Sequence, residues 1–337
     1  MRLRIACFVF AAGLATAAGT YTVKHQFILG GPGGWDYLTV DSDSNRLFIA
    51  RADRVLVVST VDGKLLGTIA HTEGVHGIAL APDLGKGFIS NGRADSVTEF
   101  DLATLATSAT IAVPGHNPDA ILYDKTSKRV FTFNGRSHDI SVIDPAKGSV
   151  IATIPAGGKP EFARADGVGH IFYNIEDTSQ ISEIDALTAK RIGTWPLPKC
   201  EEPSGLAFDI VHQRLFSTCG NRALAVTDAA SGRHVASVPI GEGPDAAVFD
   251  AARGLVFSSN GDDGTLTVIH EDDPDHYSVV ATVATQKSAR TMDLDTKTHL
   301  IYLVAAEFGP APAATPEQPH PRPAVLDGTF KILEMGN

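Results

Sequence analysis

The 337-residue chain carries 28 Lys and Arg against 39 Asp and Glu, a formal charge of −11, with 43% hydrophobic residues and 32 Gly. The acidic balance argues against nucleic acid as a general partner, because binding by counterion release needs clustered Lys and Arg. The hydrophobic content argues against intrinsic disorder, and the length leaves a choice between two domains and one repeat array.

The chain opens on Arg2 and Arg4, an apolar run from Ile5 to about Ala15, and the small residues Ala15, Ala17 and Ala18. This predicts a secretory signal over residues 1–18, followed by a single domain over 19–337. No later segment approaches eighteen uninterrupted apolar residues, so a soluble, periplasmic or secreted protein without membrane insertion is expected. With Cys7 inside the signal, Cys200 and Cys219 remain as an even pair in an oxidising compartment, and a disulfide is expected. Next comes a strand-like run, Tyr21 to Leu29.

Beyond it a unit of about forty residues recurs seven times. A core aromatic follows an aliphatic, β-branched or small residue at positions 48, 88, 131, 172, 216, 257 and 302, spaced 40, 43, 41, 44, 41 and 45 residues apart. An acidic residue precedes most of these aromatics by seven positions, at Asp41, Asp124, Asp209, Asp250 and Asp295, with Asp166 at six and Asp83 at five. This places a hairpin turn between a first and a second strand. A second acidic turn, at Asp101, Asp144, Asp185 or Asp228, follows a third strand such as Ile140 to Ile143, and a fourth strand follows in Val150 to Ile154. Four short strands per repeat with no helical periodicity predict an all-β, seven-bladed propeller with four-stranded blades.

The fifth unit holds Cys200 before its first strand and Cys219 at the end of its second, the same end of two adjacent strands, as a disulfide requires. The sixth contains His270-Glu-Asp-Asp-Pro-Asp-His276, which reads as an acidic turn on the face opposite the mouth. The seventh has first strand near Thr291–Leu294, second near Leu300–Val304, a proline-rich insertion over 309–328 and third strand at Thr329–Leu333. It lacks a fourth strand, and Tyr21 to Leu29 is expected to supply it and close the ring.

Segments such as Arg129-Val-Phe-Thr-Phe-Asn-Gly135 and Ile140-Ser-Val-Ile-Asp144 resemble the repeat core of the YVTN, or YncE-like, β-propellers of exported bacterial proteins. The resemblance covers roughly residues 20 to 337, although Phe-Ile-Ser-Asn91, Phe-Thr-Phe-Asn134 and Phe-Ser-Ser-Asn260 stand where Tyr-Val-Thr-Asn would. It implies a scaffold rather than one chemistry.

Antiparallel order puts the start of each first strand and the end of each second strand at one mouth of the central channel, where binding residues are expected. The first-strand positions read Asp36, His76, Asp119, Glu161, Ser204, Asp245 and Arg290. The second loop set adds Arg51, Asp53, Arg93, Arg136, His138, Glu176, Arg222, Asp262 and Asp263, beside Asn91-Gly92, Asn134-Gly135 and Asn260-Gly261, which read as type I′ turns. We expect Asp36, His76, Asp119, Glu161, Asp245, Arg290, Arg93 and Arg136 to hold a polar small molecule or a protein partner, in a monomer that needs no cofactor. The proline-rich insertion projects on the same face as a partial lid or docking strand. Standard catalytic and haem motifs are missing, and a metal-dependent lyase or lactonase, or a periplasmic metal-binding protein, is the alternative.

Overall fold

The computed structural model describes residues 20–315, 321 and 323–337, so the expected signal segment 1–18 lies outside the described residues. Among these, twenty-eight strands form seven four-stranded antiparallel sheets, a seven-bladed β-propeller. No helix of the described residues is long and apolar enough to cross a membrane. The innermost strands of blades 1 to 7 are Trp35–Asp41, Val75–Ala81, Pro118–Asp124, Pro160–Ala165, Pro203–Asp209, Pro244–Asp250 and Met292–Asp295.

The acidic repeat residues reverse the chain as expected. Asp124 accepts a hydrogen bond from the Ser127 N–H at 2.7 Å, and Asp209 and Asp295 accept from Val211 and Lys297 at 2.9 Å. A residue with positive φ then immediately precedes each second strand, with Lys128 at 55°, Gln213 at 57° and His299 at 61°. The side chain thus does locally what a backbone turn would do. The repeat aromatics are buried, from 0% exposure at Phe48, Phe131 and Phe257 to 3% at Phe172. Each is worth about 1.5–3 kcal/mol of apolar burial and packs adjacent sheets together.

The Asn-Gly pairs correct one expectation. Asn91, Asn134 and Asn260 close their second strands instead of forming the turn, and Gly92, Gly135 and Gly261 lack the positive φ that a type I′ turn requires. Their amides are buried and reach across the hairpin: Asn91 donates to Ser96 and Thr98 Oγ at 3.1 and 2.9 Å, and Asn260 to Thr265 and Thr267 at 3.0 and 2.9 Å. The motif His270 to His276 also differs, since the third strand of blade 6 runs through it as Thr265–Asp273 and turns only at Pro274-Asp275.

Thr22–Ile28 pairs antiparallel with Lys331–Gly336, from Thr22 opposite Gly336 to Ile28 opposite Lys331, and is the fourth strand of blade 7. The third strand lies two residues later than expected. Tyr21 is buried just before the closing strand, edge-on to Phe257 of blade 6 at 5.2 Å, and its hydroxyl accepts from Arg253 at 3.2 Å.

Cys200 and Cys219 form the expected disulfide, with Cα atoms 5.2 Å apart and a sequence separation of 19. Both are buried. A loop of that size removes about 3 kcal/mol of unfolded-chain freedom. The double variant Cys200→Ser/Cys219→Ser should therefore lose about 3 kcal/mol in denaturant unfolding, and an unchanged midpoint would show that the bridge carries no stability.

Candidate functional site

Each innermost strand but the seventh carries the same irregularity near its start. Trp35 pairs with Arg51 and Leu38 with Ile49, so Asp36 and Tyr37 oppose a single residue. The register breaks likewise around His76, Asp119, Glu161, Ser204 and Asp245. A bulge twists the strand and re-aims the side chains it carries, here toward the channel axis.

The result is a cavity of about 1000 Å³ at the mouth. Its wall includes Asp36, His76, Asp119, Glu161, Ser204, Asp245 and Arg290, joined by Lys159 and Glu176. Six of the eight expected ligand-binding residues therefore converge. The other two, Arg93 and Arg136, are exposed outside the lining, and of the further charges in that loop set only Glu176 lines it.

Tyr37 and Phe162 close the channel one residue below the rim, with ring centroids 4.4 Å apart. Blades 1 and 4 face each other across the ring, so this contact blocks the axis and turns the channel into a cup. Beneath it Arg164 donates to the Ala163 and Ala247 carbonyls at 3.3 and 3.4 Å. Sequence reasoning missed this floor although a signal exists. The position after the rim residue is small at Gly77, Ala120, Gly205, Ala246 and Thr291, and aromatic only at Tyr37 and Phe162. The crowding is physical: a Cβ on Gly205 would stand 2.7 Å from the Ala246 backbone.

One side of the cup is apolar. Trp35, 8% exposed, stacks on Phe308 at 5.7 Å, and Phe308 is 44% exposed for all its size. Pro32, Pro323, Ala324 and Val325 extend that wall. Phe308 and Val325 bridge the base of the proline-rich insertion, tied by Gly309 N–H to Ala324 O at 2.9 Å and Leu326 N–H to Glu307 O at 2.8 Å.

The charges are paired across blades. The His76 Nδ1 lies 2.5 Å from Asp36 and 3.6 Å from Asp119. Arg290 bonds Asp245 and lies 3.6 Å from Asp36, while donating to the Trp35 carbonyl at 3.2 Å. Lys159 reaches Glu161 at 2.9 Å and also bonds Glu176. Burial opposes charge on His76, but its bond to Asp36 and the fields of Asp119 and Asp36 outweigh that and raise it to about 9. Burial pushes Asp119 up to about 7, with Asp36 and Asp245 adding to it against His76. Burial and then the Asp119 charge push Glu161 up to about 8 in spite of Lys159. The Tyr37 hydroxyl is buried without a hydrogen-bond partner among the described residues. Its pKa is raised by burial and then by the fields of Asp119, Glu161, Asp36 and Asp245.

Fold and site together define a seven-bladed β-propeller with a blind, acidic cup at one mouth. Among solved structures, the chain is similar to Kuenenia stuttgartiensis hydrazine synthase, with a TM-score of 0.69 and 16% identity over 81% of this chain and 92% of that one. It is also similar to the U3-55K structure, with a TM-score of 0.75 and 10% identity over 93% of this chain and 98% of that one. Identities this low establish the propeller alone. No protein-family model and no curated protein matches the sequence.

Proposed function

We propose that this is an exported binding protein, periplasmic or secreted, whose cup takes a polar ligand. The observation that carries the reading is electrostatic. Asp119 and Glu161 stand together in a poorly solvated ring at a cost to the fold, and a scaffold alone has no use for that arrangement. Both carboxyls lie above their ordinary range, to about 7 and about 8. Ionising them in the folded state is therefore penalised. The penalty is absent below their ordinary range and grows as pH rises through the folded values.

Asp119→Asn and Glu161→Gln should accordingly raise the melting temperature, and by more near about pH 8 than near about pH 5. In a thermal-shift screen of polar small molecules, ligands of the wild type should be lost by both variants and kept by His270→Ala/His276→Ala on the opposite face. Loss only in the opposite-face variant would move the site there. Two variants that melt lower near pH 8 would remove the electrostatic argument.

A second reading rests on one geometric fact: Asp36, His76 and Asp119 each offer a ligand atom, all within 4.8 Å of one another. A divalent cation there would have to displace the His76 proton, which is held to about pH 9. Calorimetry with Zn²⁺, Mn²⁺ and Ca²⁺ tests it, with stoichiometric binding abolished by His76→Ala as the supporting result.

A further inference from the structure

We propose that the ligand is an organic cation with an apolar body, its ammonium or guanidinium group set among the rim carboxylates beside Asp119 and its hydrocarbon part on the Trp35–Phe308 shelf. The inference rests on the cup being the ligand site.

Five carboxyl groups line the cup, Asp36, Asp119, Glu161, Glu176 and Asp245, against three cations, Lys159, Arg290 and His76, which keeps its proton up to about pH 9. The pairing leaves a particular group over. Arg290 serves Asp245 and Asp36, Lys159 serves Glu161 and Glu176, and the Nδ1 of His76 is taken by Asp36. The Asp119 carboxylate accepts no hydrogen bond among the described residues, and its nearest cation is His76 at 3.6 Å. Its side chain keeps 18% exposure, so it is largely desolvated yet open to the cup. A carboxylate so placed favours a positive charge, and a neutral or anionic ligand leaves it unpaired.

Two further observations are independent of that charge count. Tyr37 belongs to the lining, and its hydroxyl is buried with no hydrogen-bond partner among the described residues. A buried polar group in that state calls for a partner, and the fields of Asp119, Glu161, Asp36 and Asp245 converge on it. The exposed face of Phe308, stacked on buried Trp35, offers apolar and π contact on one side of the same cavity. An ammonium carried on a hydrocarbon frame satisfies both walls, through ion pairing on one side and apolar or cation–π contact on the other. The volume of about 1000 Å³ accommodates such a molecule and far exceeds what a bare metal ion fills.

Calorimetry with 2-phenylethylamine, tyramine and arginine methyl ester, each to about 10 mM, with 2-phenylethanol as the neutral counterpart of the first, tests the proposal. At least one amine should bind about tenfold or more tighter than the alcohol. Asp119→Asn should weaken that amine by about tenfold or more. Phe308→Ala should weaken it several-fold while leaving the far weaker binding of methylammonium unchanged. Equal binding of the alcohol, or no binding by any of the three cations, overturns the proposal. If the cations fail but another polar ligand binds and is lost in Asp119→Asn, the cup remains the site and only the ligand class is wrong. If an amine binds equally well to wild type, Asp119→Asn and Phe308→Ala, the site lies elsewhere and both readings fall.

Discussion

A variant that begins at Gly30 should fail to form a closed ring, and should aggregate or unfold in a broad transition at much lower temperature than the full domain. Thr22–Ile28 is the fourth strand of blade 7, and its removal bares the edge of Lys331–Gly336 over six paired positions. An unpaired edge of that length is a template for pairing with other chains. The truncation also removes Tyr21, with its contact to Phe257 and its hydrogen bond from Arg253. Because a propeller is stabilised by contacts between neighbouring blades all the way round, opening one junction weakens every blade. Circular dichroism melting and light scattering measure this. A sharp melt within a few degrees of the full domain would show that the ring closes without that strand.

Replacing Arg51 by Met should cost about 3 kcal/mol, read as a fall of about 4–5 °C in melting temperature. Arg51 is 0% exposed, and no carboxylate pairs with it among the described residues. Its guanidinium donates to the Gly31 carbonyl at 2.5 Å and also to Gly33, and it lies 3.7 Å from the centre of the Phe330 ring. It therefore pins the Gly30–Gly34 loop between the closing strand and blade 1 against blade 7. Burial and then the nearby Arg54 lower its pKa to about 10, so it stays charged at neutral pH. Methionine preserves bulk but leaves at least two carbonyls without their donor, at about 1–3 kcal/mol each, offset in part by the desolvated charge that is no longer buried. Trp35 pairs with Arg51 in register and packs on Phe330 at 5.4 Å, so the aromatic shelf should loosen too. A melt unchanged within about 1 °C would mean that water satisfies those carbonyls.

The architecture was legible in the sequence because each blade announces itself locally. The buried aromatic and the acidic turn residue lie within one hairpin, and both act through contacts a few residues long. The closing strand was legible by subtraction, as a strand without a blade facing a blade without a strand. The rim was legible because the position after Pro118, Pro160 and Pro244 recurs in every unit. What could not be read locally depends on how blades approach one another. The Tyr37–Phe162 contact joins residues 125 positions apart, and only the narrowing of the ring brings them together. Arg51 looked like another rim charge beside Arg93 and Arg136, yet it turns inward because the Gly30–Gly34 loop presents carbonyls to it. The buried amides of Asn91 and Asn260 resembled turn residues because Gly follows each, whereas hydroxyl partners across the hairpin hold them in the strand.

Under the proposed function, the floor at Tyr37 and Phe162 also sets the kinetics of exchange. With the axis blocked, arrival and departure share one doorway. Anything at the rim that narrows it without touching the bound molecule slows both directions by the same factor. Residence time at such a site can then be tuned separately from affinity, by changing the doorway and leaving the cup intact.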